Sequence, residues 1–303
     1  MTRTYTKPAL TYEQQIAHLR ANGMVIADEA QAEYWLQHVS YYRLSAYWLY
    51  FEHPKRMDGL KFKPGTTFEA VTALYDFDRI LRRLTMRGTE HVEVALRGSW
   101  AYQIAHLGNG HSYADASHYS NRSEFHDNLS KLTSETGRSR ETYIKHYRDN
   151  YDSPSLPPAW MVAEMLSFGQ LSRWYSNLAD RALRNKIAEP LGLPETVLVP
   201  LIGHVTDLRN ICAHHGRLWN RQFLRPPKLA LKPTSLAQSL DHNANQAPAR
   251  LYNGLTMVGH VVKTVCPDSN WALDIRNHIT THPTGDLEAM GFPADWASRP
   301  IWQ

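Results

Sequence analysis

Apolar residues recur at three- and four-residue intervals along most of this chain, and runs that alternate apolar with polar positions are missing, so helices are the predicted elements. Thr11 reads as the N-cap of a helix over 11–22, with Gly23 placed to close it. Residues 30–52 continue the helical pattern and are dense in aromatics: Tyr34, Trp35, Tyr41, Tyr42, Tyr47, Trp48, Tyr50 and Phe51. The spacing of Tyr34, Trp35, Val39, Tyr42 and Ala46 predicts that these five pack inward, leaving Tyr41 and Arg43 to face out. A polar loop over 53–66, holding Asp58-Gly59, precedes a proline-free stretch over 68–107 that is one long helix or two in succession. Polar helices over 123–136 and 138–150 follow, and then Pro154, Pro157 and Pro158 mark the clearest break in the chain. Short helices over 160–167, 169–178 and 181–191 lead to a strong amphipathic one over 194–215. A polar linker over 234–247 precedes helices over 248–265 and 268–281. The fold class is all-α, a multi-helix bundle with little or no sheet. It divides at the proline cluster into regions 1–152 and 153–303 of one compact body.

The helix over 194–215 has two faces. At about 100° per residue, Leu198, Leu201, Val205, Leu208 and Cys212 fall within roughly 80° of one another and form a core stripe. His204 and His215 land in or beside that stripe, whereas Asp207, Asn210 and His214 lie within about 60° of each other on the opposite side. His215 is therefore expected to pack inward and His214 to face solvent. Arg209 sits at the stripe's edge, from which a long side chain can reach round to the polar face. If helical turns continue past Gly216, Arg217 and Arg221 extend the polar face.

Length and composition narrow the class. A chain of 303 residues with 43% hydrophobic content builds its own core without a disulfide or metal staple. No apolar run approaches the roughly 20 residues of a membrane span. The N-terminal residues lack the apolar segment of a secretory signal, and two cysteines, Cys212 and Cys266, suit a reducing cytoplasm. The net charge of +4 is modest, but it is concentrated. Between residues 195 and 232, Arg209, Arg217, Arg221, Arg225, Lys228 and Lys232 face only Glu195 and Asp207.

The candidate chemistry lies in Arg209-Asn210-x-x-x-His214-His215-x-Arg217-x-x-Asn220-Arg221. A guanidinium is a permanent forked charge that matches phosphate oxygens, and an imidazole exchanges protons near neutral pH. An amide between them fixes either group by hydrogen bonding. These are the parts for metal-free RNA cleavage, in which the ribose 2′-OH attacks the neighbouring phosphate and leaves a cyclic phosphate and a 5′-OH. The spacing itself is not distinctive, since Arg140/His146 and Arg276/His282 share it. Unsupported, it also fits a capped or salt-bridged surface.

The segment from Arg209 to Arg221 resembles the signature of the Abi-like proteins, the AbiD/AbiF type of abortive-infection family. The resemblance extends to Val39-Ser-Tyr41-Tyr42-Arg43-Leu-Ser-Ala-Tyr47, to Phe68-Glu-Ala-Val-Thr-Ala-Leu-Tyr75-Asp76-Phe77-Asp78-Arg79, and to Glu164-Met-Leu-Ser167-Phe168-Gly169-Gln170-Leu-Ser172. It implies a HEPN-type helical domain behind an N-terminal helical extension, a role in phage defence, and association with RNA, in some members a small structured non-coding RNA. It also implies catalysis by an Arg-x(4 to 6)-His element, here Arg209, Asn210 and His214. His215 satisfies the spacing too, and only the helical wheel favours His214. A single matched copy of the motif suggests a homodimer with a composite site. The resemblance implies a metal-independent endoribonuclease that yields 2′,3′-cyclic phosphate and 5′-OH ends; the alternative is a protein that binds a structured small RNA without cutting it.

Other features carry less. Tyr41 and Arg43 are candidates for stacking and holding RNA, as are Arg217, Asn220, Arg221, Arg225 and Lys228 along the backbone, with Asp207 and His215 in support. Asp76, Arg79, Glu90, Glu93 and Arg97 lie on the long helix, where Glu93 and Arg97 form an ordinary i,i+4 pair; they read first as a solvated face, and a carboxylate among them is able to orient Arg209 across the bundle. Cys212 falls in the apolar stripe, where a thiol acts as a small hydrophobe. Neither metal-ligand spacing nor a glycine-rich phosphate loop occurs, so neither a metal nor a nucleotide cofactor is expected.

Overall fold

The computed structural model describes residues 4, 6–57, 59–242, 249–281 and 286–303. The first N-terminal residues, Asp58, the end of the expected linker at 243–247, Pro248 and His282 lie outside them. The described residues form two compact units, one through Leu81 with Thr281, the other comprising Arg82–Thr280 and Asp286–Gln303.

In the first unit α1 (Tyr12–Ala21) starts at a capping box in which Thr11 and Gln14 each bond the other's backbone, and Gly23 follows its end at φ 95°. The aromatic stretch expected to be one helix is two, α2 (Glu29–His38) and α3 (Tyr41–Trp48), separated at Ser40, whose φ is 78°. That break resets the helical register. As a result Tyr42 is 88% exposed, and Tyr34, on the face of α2 opposite its buried Ala32 and Leu36, is 60% exposed, both contrary to the expected inward packing; the buried residues of α3 are Leu44, Tyr47 and Trp48. The Tyr47 hydroxyl donates to the buried Asp78 carboxylate at 2.7 Å. The loop expected over 53–66 holds an antiparallel hairpin, β1 (Glu52–Met57) with β2 (Leu60–Phe62). Its composition lacks the alternation that signals strands, and only Phe62 of β2 is buried.

A single helix, α4 (Phe68–Ala105), runs 38 residues without interruption and carries a buried stripe that includes Val92, Leu96, Trp100 and Ile104 in the second unit. There follow α5 (Arg122–Arg138), α6 (Thr142–Asn150), α7 (Ala159–Met165), α8 (Phe168–Ser176), α9 (Arg181–Ala188) and α10 (Glu195–Ala213). A short α11 (Thr234–Ser239) stands where only linker was expected, and α12 (Leu251–Val265) and α13 (Trp271–Thr281) complete the set. The fold is all-α apart from the hairpin. Within the second unit α10 packs against α8, α9 and α12, so its apolar stripe is sealed on several sides. Leu198, Leu201, Val205 and Leu208 are fully buried and Cys212 nearly so, as the helical wheel predicts. Among the described residues no helix is long and apolar enough to cross a membrane.

Candidate functional site

α10 presents the motif at its C-terminal end. The helix stops at Ala213 with a closure in which the Gly216 N–H donates to the Ile211 carbonyl at 2.8 Å and the His215 N–H to the Cys212 carbonyl at 3.1 Å. His214 is the C-cap residue, and its N–H donates to the Asn210 carbonyl at 3.0 Å. Asn210 and His214 therefore sit one turn apart, both exposed. His215 takes φ 56°, the left-handed position that glycine ordinarily fills at a helix end. It is exposed too, which corrects the expectation that it packs inward: the helix ends before it, and the turn swings it off the apolar stripe. For the same reason Arg217 and Arg221 do not continue the polar face of the helix.

Arg209 points toward α4. Its Nε lies 3.8 Å from Glu93 Oε2, and its side chain keeps 38% of its exposure. The expected carboxylate on the long helix is thus present, and it is the same Glu93 whose Oε1 accepts from Arg97 Nη2 at 2.5 Å. Arg97 in turn donates through Nη1 to the Ala163 carbonyl and, at 2.8 Å, to the Leu166 carbonyl, both at the end of α7. Sequence alone pairs Glu93 with Arg97. The tie from Arg97 to α7 bridges more than sixty residues and leaves no local signal.

The remaining basic candidates divide. Arg225 is committed: its Nε and Nη2 donate to the two Asp207 carboxylate oxygens at 3.0 and 2.5 Å, which raises the guanidinium pKa further, while its carbonyl accepts from His204 Nδ1 at 2.9 Å. His204 is fully buried, and burial lowers its pKa to about 4. Arg217 lies 5.8 Å over the ring of the buried Trp219, and Arg221 donates to the Arg217 carbonyl at 3.2 Å. Asn220, at φ 48°, accepts from Arg250 at 3.2 Å. Arg250 is thirty residues downstream and escapes any reading by spacing. Lys228 is exposed. Tyr41 and Arg43 belong to the first unit. Arg43 is exposed as expected, but Tyr41 is half-buried with its ring edge-on to Trp48 at 4.8 Å, and desolvation followed by the Glu52 carboxylate raises its pKa.

What this arrangement offers is a partly exposed guanidinium beside a carboxylate, with an exposed amide and an exposed imidazole on the same helix end and further cations on the chain leaving it. Among the described residues no group of three or more His, Cys, Asp or Glu side chains is placed to hold a metal ion. No curated protein and no solved structure gave a match to the chain. A family model described as Abi-like protein matches residues 34–220, well over half of the chain, taking in the aromatic helices, α4, the α7–α8 junction and the end of α10. The chain belongs to the Abi-like protein family, which implies a place in abortive-infection phage defence.

Proposed function

We propose that the protein is a metal-independent endoribonuclease of HEPN type within that family, with Arg209, Asn210 and His214 at its centre. The observation that carries this reading is that one helix end presents Arg209, which stays 38% exposed beside Glu93, together with the exposed Asn210 and His214. His214 removes the proton from the ribose 2′-OH; the 2′ oxygen bonds to phosphorus as the bond from phosphorus to the 5′ oxygen breaks. A proton delivered to that oxygen completes the 5′-OH and leaves a 2′,3′-cyclic phosphate. Arg209 stabilises the extra negative charge on the five-coordinate phosphorus, and Asn210 positions the groups. A second copy of the chain facing the first, as the single copy of the motif suggests, supplies the other proton-transfer group, so that the working form is a homodimer. Arg217, Arg221 and Lys228 hold the RNA backbone.

The test is cleavage of end-labelled RNA in EDTA. The wild type is expected to cut, and His214→Ala to lose about two orders of magnitude or more of rate while retaining the RNA. Retention without cutting by the wild type overturns catalysis and leaves a binding protein for a structured RNA. Absence of salt-sensitive retention overturns the RNA reading altogether.

A further inference from the structure

Glu93 serves two arginines unequally. Its Oε1 takes a short charge-assisted hydrogen bond from Arg97, whereas Oε2 faces Arg209 at 3.8 Å, an ion-pair separation too long for a hydrogen bond. The two guanidinium groups also differ in mobility. Arg97 is only 11% exposed and is fixed by the Ala163 and Leu166 carbonyls, two of the orphan acceptors that a helix end leaves. Among the described residues Arg209 has no such backbone anchor, and it stays 38% exposed. A carboxylate released from Arg97 would have both oxygens available, and a carboxylate and a guanidinium within reach close into a bidentate pair.

We propose that Arg97 is a positioning residue: it commits Glu93 to the end of α7, so that Arg209 is attracted toward the carboxylate yet keeps its donors open to phosphate. This rests on the reading of Arg209 as a phosphate ligand, but its first consequence is visible without RNA. In Arg97→Met, which keeps an apolar stem, Glu93 captures Arg209. The Arg209 Nε–H, assigned by its loss in Arg209→Lys, then exchanges with water about tenfold more slowly in an arginine-selective NMR spectrum. In Glu93→Gln/Arg97→Met the neutral amide cannot capture a cation in this way, and exchange returns to the wild-type rate.

Cleavage follows the same order. Arg97→Met loses about tenfold or more in kcat, and the double variant recovers it. A merely structural loss of the α7 contacts would persist in the double variant. Unchanged exchange in Arg97→Met, or failure of the double variant to restore both readouts, overturns the proposal. Should Arg97→Met not fold, Glu93→Gln alone decides: Arg209 exchange within about twofold of wild type supports the proposal, and a tenfold acceleration shows that Glu93 already held Arg209 and overturns it. If the wild type never cuts RNA while the exchange pattern holds, the nuclease reading falls and the role of Arg97 stands.

Discussion

His204 shows how one buried side chain sets a pH response. Its Nδ1–H donates to the Arg225 carbonyl, which can only accept, so the bare nitrogen is Nε2, turned toward Gly254 in the interior. Desolvation is the main cause of its low pKa of about 4; the hydrogen bond to Arg225 and the Asp207 carboxylate oppose it, and the Arg225 charge adds to it. The unfolded chain, with an ordinary imidazole near 6.5, binds the proton more readily than the folded one. The contribution is thus fully present above pH 6.5 and declines as pH falls toward 4. The stability of wild type relative to His204→Gln is expected to fall by up to about 3 kcal/mol across that window, read from urea unfolding at a series of pH values. A flat difference would show that His204 titrates normally in the fold.

At the scale of elements, two glycines on α4 make opposite forecasts. A Cβ on Gly88 would lie 2.5 Å from the Trp271 indole of α13, whose Nε1–H donates to the Leu84 carbonyl at 2.7 Å and so cannot retreat freely. A Cβ on Gly98 meets nothing within 4 Å. Gly88→Ala is expected to destabilise by about 1–3 kcal/mol through overpacking, despite alanine's better helix propensity. Gly98→Ala is expected to stabilise by up to about 1 kcal/mol. Thermal melts of the two variants check both signs. The same contrast explains what the sequence makes legible. Periodicity reveals that α4 and α10 exist and which stripe of α10 is buried, because both depend on neighbours three and four residues apart. It misplaces Tyr42 because the Ser40 turn has no glycine to announce it, and misplaces His215 because a histidine occupies a glycine's position at a helix end. Arg209, Asn210 and His214 are readable as a motif, and the carboxylate beside Arg209 is foreseeable only in kind. Arg97 reaching α7 and Arg250 reaching Asn220 are products of tertiary packing that no local spacing encodes.

For the whole molecule the net charge of +4 is a weak guide, since a chain of this size with so small a surplus has no strong overall field. What matters is how much of the local surplus after α10 remains available. Asp207 engages both forks of Arg225, whereas Arg221 and Lys228 stand exposed and are well placed to meet a backbone. Each phosphate contact on a single strand contributes about −0.7 to the slope of log affinity against log salt. Replacing Arg221 and Lys228 with alanine is accordingly expected to make the slope of RNA retention shallower by about 1.4, if each holds one phosphate. Arg225→Ala is expected to change it little, because its charge is already answered within the fold. The measurement is filter retention of a labelled RNA between low and moderate salt. A double variant with the wild-type slope would place the RNA on another surface, and an Arg225→Ala variant with the larger loss would show that the Asp207 pair opens to admit it.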